Sequence, residues 1–277
     1  MVEPEVNSFT DPGGVRGRLY RWTPAGEATA LVHLAHGMGE HARRYDRLAA
    51  ALSSAGYEVW ADDHRGSGAT GAEGPGLGIL GPGGMEGAVE SLQAAVAHVA
   101  ATRPDLRLHL VAHSWGSFMA QRIAERRGEE LAGLVLSGST LLAGGYLPAG
   151  DLNERFEPAE TPYDWLSRHR AEVGKYLADP WCGLEVSFDV AELAHLAGPP
   201  SDTVPPGLPI LVLNGTDDPV GGSNGGGRAL ADAYLELGVA DVSYRGYEAA
   251  RHELFNETNR EEVIADLVDW LDTHSQR

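Results

Sequence analysis

The sequence predicts a single α/β domain built on a mostly parallel, doubly wound sheet. Several short segments are almost continuously apolar, which is typical of strands covered on both faces. Segments with helical periodicity separate them, as a βαβ arrangement requires. The chain has 277 residues with a hydrophobic content of 43%, which is enough to bury one large core. These three observations together favour one domain over two.

Seven segments carry the strand signal, and amphipathic segments lie between them. The predicted strands are GRLYRW, ALVHLAHG, EVWADD, LRLHLVAHS, AGLVLSGST, PILVLNGTDD and VSYRGY. The predicted helices are YDRLAAALSSAG, GAVESLQAAVAHVAATRP, GSFMAQRIAERRG and NREEVIADLVDWLDTH. The last helix places one apolar face toward the core, formed by Val263, Ile264, Leu267, Val268 and Leu271.

One stretch, from about Leu141 to Pro206, departs from this alternation. It has no clear strand pattern, it contains several prolines, and aromatic residues are concentrated in it, which favours a helical insertion over an unstructured loop. We therefore predict a core formed by residues 1–140 and 207–277, with a helical cap at 141–206 inserted after the sixth strand. Ligands bind beyond the carboxyl ends of such strands, where this cap would lie.

Composition excludes several classes of function. The chain has 40 Asp and Glu against 21 Lys and Arg, a formal net charge of −19, so its surface repels nucleic acid and anionic lipid. We expect a small-molecule partner and at most transient membrane contact through the cap. The single cysteine, Cys182, excludes an internal disulfide. The start MVEPEVNS lacks the features of a signal peptide, and no apolar segment is long enough to span a bilayer, so we expect a cytoplasmic location.

The segment VAHSWGSF contains the candidate nucleophile, Ser114. It lies where a predicted strand meets a predicted helix, which is the context of a nucleophile elbow. Such a turn needs small residues two positions before and two positions after the serine. Gly116 meets this need, and Ala112 enlarges the other position by one methyl group. With this mismatch the motif alone is a weak signal.

The order of the partners along the chain strengthens the prediction. A serine needs a histidine to accept its proton and a carboxylate to orient that histidine, and in this type of fold they follow in the order Ser, Asp or Glu, His. LNGTDDPV follows a predicted strand and offers Asp217 and Asp218. We favour Asp218, because Pro219 biases it toward an extended conformation, and we keep Asp217 as the alternative. AARHELFNE supplies His252 in the last position.

Five segments also carry a resemblance to a known family. HGMGEHARRY, DHRGSG, AHSWGS, NGTDDPVGG and RHELFNE resemble the monoacylglycerol lipase and lysophospholipase-like group of serine hydrolases, which have the α/β-hydrolase fold. The resemblance runs from about Leu31 to Leu271 and includes the cap stretch PYDWLSRHRAEVGKYLADPWCG. It implies the same triad, and it places the oxyanion hole at the backbone N–H groups of Met38 and Trp115.

Two positions depart from the family pattern, and other motifs have structural explanations. Ser67 stands where the family usually has histidine, and Ser117 replaces a common glycine. We expect both changes to affect packing more than catalysis. Asp63 and Arg65 are predicted to be structural. Glu40 lies four residues before Arg44. This spacing predicts an ion pair between their side chains.

No cofactor and no metal are predicted. GLGILG, residues 76–81, matches the GxGxxG pattern of dinucleotide sites, but it lies within a run of glycines and prolines and is better explained as a loop. HELFN begins like a zinc protease motif, but Asn256 replaces the second histidine. The histidines His33, His36 and His41 have no convincing metal spacing with supporting carboxylates.

The expected function is hydrolysis of carboxylic esters through an acyl-enzyme on Ser114, with monoacylglycerols or similar single-chain esters as substrates. A first alternative is a general carboxylesterase for small, aromatic or xenobiotic esters, which a pocket narrowed by Trp115 would favour. A related peptidase and a non-catalytic ligand-binding protein with the same fold are further alternatives. The sequence predicts neither the acyl-chain preference nor the oligomeric state.

Overall fold

The computed structural model describes residues 3–147, 150–187, 192 and 196–275. Over these residues one eight-stranded sheet forms, in the order β1-β2-β4-β3-β5-β6-β7-β8. The strands β1 and β2 add antiparallel pairs at one edge, and the remaining pairs are parallel. The strands are β1 (Glu5–Thr10), β2 (Arg16–Trp22), β3 (Leu31–Ala35), β4 (Glu58–Asp62), β5 (Leu108–His113), β6 (Gly133–Ser137), β7 (Ile210–Gly215) and β8 (Val242–Tyr247).

Helices cover both faces of this sheet, because the strands β3 to β7 bury every residue and so need cover on both sides. The α-helices are α1 (Asp46–Ser54), α2 (Gly68–Glu73), α3 (Gly84–Thr102), α4 (Trp115–Arg127), α5 (Arg170–Ala178), α6 (Gly226–Glu236) and α7 (Arg260–Ser275). Helices α3, α4 and α6 pack into one apolar cluster, while α1 and α7 pack into the other. The predicted doubly wound α/β fold is confirmed.

Short 3-10 helices and turns complete the described chain. The 3-10 helices are Ala42–Tyr45, Gly128–Glu130, Glu154–Phe156, Asp164–Leu166 and Leu254–Asn256. The glycine-rich stretch 76–81 lies in the loop between α2 and α3, as predicted. No helix in the described part of the chain is long and apolar enough to cross a bilayer.

Three elements were missing from the predicted set. Strand β1 is an edge strand with mostly exposed or half-buried residues, so it lacks the apolar signal of the central strands. Helix α6 begins at the end of a glycine run, where Gly225 adopts a positive φ of 75° just before the first turn. Helix α2 has only six residues. The pattern of β1 is too polar and that of α2 too short to reveal the element, whereas the glycine run hides the start of α6.

The chain between β6 and β7, residues 141–206, contains no regular strand in its described part. It contains α5, two of the 3-10 helices and isolated bridges. It is joined to the rest of the molecule at separate points. His41 and Asp179 approach to 2.9 Å, Arg168 Nε donates to a carboxylate oxygen of Glu257 at 2.9 Å, and the Gly183 N–H donates to Gly39 O at 2.8 Å. We call this stretch the β6–β7 segment.

Candidate active site

Ser114 lies on a sharp turn between the last residue of β5 and the first residue of α4. Its backbone has φ 51° and ψ −122°, a strained conformation for a residue other than glycine. The turn brings strand and helix so close that a Cβ at Gly116 would lie 2.4 Å from the carbonyl oxygen of His36. At the other small position, the methyl group of Ala112 is fully buried without disturbing the turn. The predicted strand-to-helix geometry is therefore present.

Asp218 and His252 form a buried pair at the ends of neighbouring strands. His252 Nδ1 lies 2.9 Å from Asp218 Oδ1, and both residues are buried. Asp218 is fixed by the turn after β7, where its carboxylate also accepts the N–H of Val220 at 2.9 Å. The alternative acid, Asp217, has a side chain that is 42% exposed and pairs with Arg155 at 3.4 Å. The structure thus joins His252 to Asp218 and leaves Asp217 at the surface.

The carboxylate determines the electrostatics of this pair. Burial disfavours the imidazolium form of His252, but the charge and hydrogen bond of Asp218 outweigh it and raise the pKa of His252 above its ordinary value. Burial also opposes ionisation of Asp218, yet the histidine lowers the pKa of this carboxyl group. The neighbouring ring of His113, 4.6 Å away between centroids, has a pKa lowered to about 3 by burial and by His252. His113 therefore stays neutral beside the pair.

A cavity of about 380 Å³ opens beside these residues. Four of the five predicted site residues line it, namely Met38, Ser114, Trp115 and His252, while Asp218 lies buried behind the histidine. Ten of the other lining residues are apolar or aromatic, and eight of these ten belong to the β6–β7 segment. The eight are Leu147, Leu152, Tyr163, Trp165, Leu166, Tyr176, Leu184 and Leu196. The cavity thus combines a polar end at the sheet with an apolar wall.

The predicted oxyanion donors come from two different elements. Trp115 is the first residue of α4, so its N–H has no partner within the helix. Its indole lies in the core, with the ring edge-on to His64 and the ring N–H donating to Met85 Sδ at 3.3 Å. Met38 follows β3 in a loop whose preceding residue, Gly37, donates its N–H to Glu40 Oε1 at 2.6 Å. Both donors border the same cavity.

Sequence reasoning missed two residues that contact His252. Gly138, after β6, has a φ of 57°, and a Cβ there would lie 2.9 Å from the rings of His113 and His252. Trp165, from the β6–β7 segment, packs its ring 4.9 Å from His252 between centroids, and its carbonyl accepts the His252 N–H at 3.3 Å. The glycine in LSGST was a visible signal for a tight turn, whereas the tryptophan contact depends on the fold alone.

An ion-pair network lies under the cavity. Arg44 Nη1 donates to Glu40 Oε2 at 3.0 Å, which confirms the predicted pair, and Arg44 Nη2 donates to Glu253 Oε2 at 2.8 Å. All three side chains are buried. Glu253 could not be found from spacing, because it lies 209 residues from Arg44. Both carboxylates that flank the arginine are thereby hydrogen-bonded to it, and its single positive charge balances one of their two negative charges.

The residues predicted to be structural have structural contacts. The Asp63 carboxylate accepts backbone N–H groups of Ala42 and Ala69, at 2.9 and 2.8 Å. Arg65 Nε donates to Asp11 at 2.7 Å. Ser67 is the buried residue before α2.

The second departure from the family pattern, Ser117, lies buried inside α4. Its hydroxyl donates to the Ser114 carbonyl at 2.6 Å and lies 2.8 Å from Ser139 Oγ. The helix accommodates the extra hydroxyl because these oxygens satisfy it.

Among the described residues, one group has ligand atoms close enough for a metal ion, namely His41, Asp179 and Cys182, within 4.8 Å of one another. The His41 ring and the Asp179 carboxylate already bond each other at 2.9 Å. Burial raises the pKa of the Cys182 thiol, which disfavours the thiolate that a metal would need. The absence of a metal and of a cofactor stays a prediction.

Comparison with known proteins agrees with this geometry. The family described as serine aminopeptidase, S33, matches residues 26–259. A monoacylglycerol lipase of Mycolicibacterium smegmatis is 31% identical over 97% of each chain. The monoglyceride lipase of Homo sapiens is 30% identical, over 85% of this chain and 79% of its own.

Solved structures show the same relationship. A thermostable carboxyl esterase from Bacillus coagulans has a TM-score of 0.88 at 26% identity, covering 99% of this chain and 100% of its own. A monoacylglycerol lipase of Paleococcus ferrophilus has a TM-score of 0.71 at 26% identity, covering 92% and 99%. The resemblance seen in the five motifs is confirmed. This chain belongs to the serine aminopeptidase S33 family, as a serine hydrolase with the α/β-hydrolase fold.

Proposed function

We propose that the protein hydrolyses carboxylic esters that carry a single acyl chain, monoacylglycerols foremost, through an acyl-enzyme on Ser114. The observation that carries this proposal is one largely apolar cavity lined by the strained Ser114 and by His252, with Asp218 bonded to His252 behind it. The relatives named as monoacylglycerol and monoglyceride lipases support the choice of substrate.

In the acylation step, Ser114 Oγ attacks the ester carbonyl carbon while His252 Nε2 takes the hydroxyl proton. The Asp218 carboxylate, 2.9 Å from Nδ1, keeps the proton on that nitrogen, leaves Nε2 free to accept, and stabilises the imidazolium that forms. The carbonyl oxygen becomes negative and is stabilised by the N–H groups of Met38 and Trp115. The ester C–O bond then breaks, and the alcohol leaves with the proton from His252.

Deacylation repeats these steps with water. His252 takes a proton from the water, whose oxygen attacks the acyl carbon on Ser114. The same N–H groups of Met38 and Trp115 stabilise the second oxyanion. When the acyl–oxygen bond breaks, Ser114 regains its proton from His252 and the carboxylic acid leaves. The same five residues, Ser114, Asp218, His252, Met38 and Trp115, thus serve both halves of the reaction.

The wall of the cavity supports a lipid-like substrate. Its volume of about 380 Å³ lies within the range of about 300–1,000 Å³ for small-molecule sites. Because its apolar lining comes largely from the β6–β7 segment, we propose that residues 141–206 act as the cap that selects the acyl chain. Transient contact of this cap with a membrane and a cytoplasmic location remain part of the proposal.

A general carboxylesterase is the second candidate, and the structural likeness to the Bacillus coagulans carboxyl esterase favours it. One sequence reason for it was a pocket narrowed by Trp115. That reason loses weight, since the indole lies in the core. Substrate rates must therefore separate the two candidates.

A peptidase would need a group that receives the substrate amine. Three carboxylates line the cavity: Glu40, Glu185 and Glu253. Two of them pair with Arg44, and the third, Glu185, is exposed to solvent. A buried carboxylate free to receive an ammonium group is thus not found among the described lining residues. A purely ligand-binding role is disfavoured because the serine, the histidine and the carboxylate are all present.

The test is a set of initial hydrolysis rates on monoacylglycerols of increasing chain length, a diacylglycerol, a lysophospholipid, small aryl and alkyl esters, and an aminoacyl anilide. We expect an optimum on medium or long monoacylglycerols. Labelling by a fluorophosphonate probe should disappear in Ser114→Ala, and hydrolysis should disappear with it. A preference for small esters would keep the mechanism and assign the second candidate. Full ester hydrolysis by Ser114→Ala would overturn the proposal.

A further inference from the structure

Two histidines that the mechanism does not use lie behind the loop that carries Met38. His36 is the first residue after β3, and His64 lies just after β4. Their rings are stacked with centroids 3.9 Å apart, and both residues are buried. They are also joined twice by hydrogen bonds, because the backbone N–H of His64 donates to His36 Nε2 at 3.0 Å and the ring Nε2 of His64 lies 3.0 Å from the His36 carbonyl oxygen.

The partners of His64 indicate its protonation state. A carbonyl oxygen can only accept, so Nε2 must carry a proton toward His36. The other ring nitrogen, Nδ1, lies 2.8 Å from Asp62 Oδ2. The second oxygen of Asp62 lies 2.8 Å from His33 Nε2, so two histidines bond one buried carboxylate. If this carboxylate is ionised, His64 must donate from both nitrogens and carries a positive charge.

The electrostatics around Asp62 favour the ionised form. Burial raises the pKa of this carboxyl group, but the charge of His64 and the hydrogen bonds from both histidines lower it well below its ordinary range. His36 is the opposite case. Burial, and then the neighbouring His64, lower the pKa of His36 to about 3, against smaller opposing effects of Glu40 and Asp62. His36 is therefore the neutral ring of the stack.

The neutral ring has only one tautomer that fits its surroundings. The Nε2 atom of His36 accepts a hydrogen bond from the backbone N–H of His64, so the proton of the His36 ring must be on Nδ1. From there it donates to the Gly37 carbonyl oxygen at 2.7 Å. That carbonyl belongs to the same planar peptide unit as the Met38 N–H, and in a trans peptide the two groups point in opposite directions. A bond that fixes the Gly37 oxygen therefore also fixes the direction of the Met38 N–H.

We propose that His64 is a buried imidazolium whose ring, stacked on His36 and donating to the His36 carbonyl oxygen, holds His36 as the positioning residue that aims the Met38 N–H into the oxyanion hole. This inference rests on the proposed function for the role of Met38. Glu40 acts on the same loop from the other side, since its Oε1 accepts the Gly37 N–H at 2.6 Å. The loop is thus held at both the N–H and the carbonyl oxygen of Gly37. On the carbonyl side, the contacts run from the buried carboxylate of Asp62 to His64 and from His64 to His36.

The first experiment measures protonation directly and does not depend on activity. In protein labelled with ¹⁵N-histidine, long-range ¹H–¹⁵N spectra at pH 7 should show both ring nitrogens of His64 protonated and His36 protonated at Nδ1 only. The signals that vanish in His64→Gln assign that ring. A pyridine-type nitrogen on His64 would overturn the charge assignment. Protonation of His36 at Nε2 would overturn the positioning route.

The second experiment measures kinetics in His64→Gln, with His109→Gln as a matched control. His109 is equally buried, and its ring nitrogen Nε2 lies 3.0 Å from Ser275 Oγ, which belongs to α7. Complete loss of an oxyanion donor costs about 10² to 10³ in rate, so a misdirected donor should lower kcat by about 10-fold to 10²-fold. We expect KM to stay within about threefold, because the donor acts on the transition state. The control should keep kcat.

Binding of a boronic acid, which mimics the tetrahedral intermediate, should weaken in His64→Gln by about the same factor as kcat/KM. An unchanged kcat in a folded His64→Gln protein, or an equal loss in His109→Gln, would overturn the inference. If the unmodified protein hydrolyses no ester, the proposed function fails instead, and the NMR result still decides the charge of His64. The two failures are therefore distinguishable.

Discussion

The carboxyl edge of the sheet and the β6–β7 segment face each other across one cavity, yet they are built differently. At the sheet edge, Ser114, Asp218 and His252 follow β5, β7 and β8, and the latter two are buried. The β6–β7 segment has only short helical pieces in its described part, and it leaves Leu147 and Leu177 exposed at 42% and 46%. This difference fits the proposal that the rigid edge performs the chemistry and that the less regular segment selects the substrate.

One junction between the two regions has a clear physical basis. Glu257, fully buried after the last 3-10 helix, accepts the backbone N–H groups of Arg168 and Arg251 at 2.8 and 3.0 Å. The other carboxylate oxygen of Glu257 accepts a hydrogen bond from Arg168 Nε at 2.9 Å. One carboxylate thus ties the β6–β7 segment to the turn that carries His252. A substitution at Glu257 should therefore lower mainly the stability of the protein, whereas a substitution at Asp218 should lower mainly the rate of hydrolysis.

The largest effect should come from the acid of the triad. Asp218→Asn keeps the shape of the side chain but favours the wrong tautomer of His252, and the same change in another Ser-His-Asp enzyme lowers kcat by about 10⁴. The matched control is Asp217→Asn at the adjacent, exposed position, which should keep kcat within about twofold. Steady-state hydrolysis of the preferred ester measures both. Equal losses of kcat in the two variants would show that the catalytic role is not specific to Asp218.

The next effect should appear in stability. Glu257→Gln removes the charged acceptor of the Arg168 side chain and of the backbone N–H groups of Arg168 and Arg251. We therefore expect the free energy of unfolding to fall by about 2–4 kcal/mol. Glu261→Gln is the control, because this side chain is 72% exposed in its pair with Arg260 and should change stability by less than about 0.5 kcal/mol. Urea unfolding measures both. If Glu257→Gln lowered kcat as strongly as Asp218→Asn, the separation of the two regions would be wrong.

A smaller effect concerns pH. Because Asp218 raises the pKa of His252, the imidazole keeps its proton to a higher pH than an ordinary histidine and cannot act as a base there. The acid limb of kcat/KM should therefore have its midpoint above 6.5, with a tenfold loss for each pH unit below it. His113 should not contribute, since its pKa is lowered to about 3. A midpoint at or below pH 6.5 would contradict the prediction. The control is that the protein regains its activity when it is returned to pH 8.

The sheet edge was the part that the sequence could predict. Ser114, Asp218 and His252 each follow a local pattern that ends a strand, and parallel strands bring their carboxyl ends together whatever the loops do. The choice of Asp218 over Asp217 rested on Pro219, on the glycine-rich turn that follows and on the family resemblance, and the structure pairs Asp218 with His252. The catalytic role of these residues stays a prediction until the substitutions are measured.

The contacts that hold the site could not be predicted, because they join residues far apart in sequence. Glu253 reaches Arg44 over 209 positions, and Asp179 reaches His41 over 138. Nor does HGMGEH reveal that His36 is held by His64, 28 residues later. Such pairs depend on which loops meet above the sheet. Periodicity along the chain does not contain that information.

The smallest effect tests the mismatch in the elbow motif. Ala112→Gly restores the glycine of the usual pattern, but Ser114 already adopts a φ of 51° with the alanine in place. The methyl group of Ala112 is fully buried in β5, and glycine in a strand is less favourable by about 0.5–1 kcal/mol. We therefore expect lower stability by about 1 kcal/mol in urea unfolding and a kcat within about twofold. A clear rise in kcat would show instead that the methyl group strains the elbow, and that the edge of the sheet is less rigid than its burial implies.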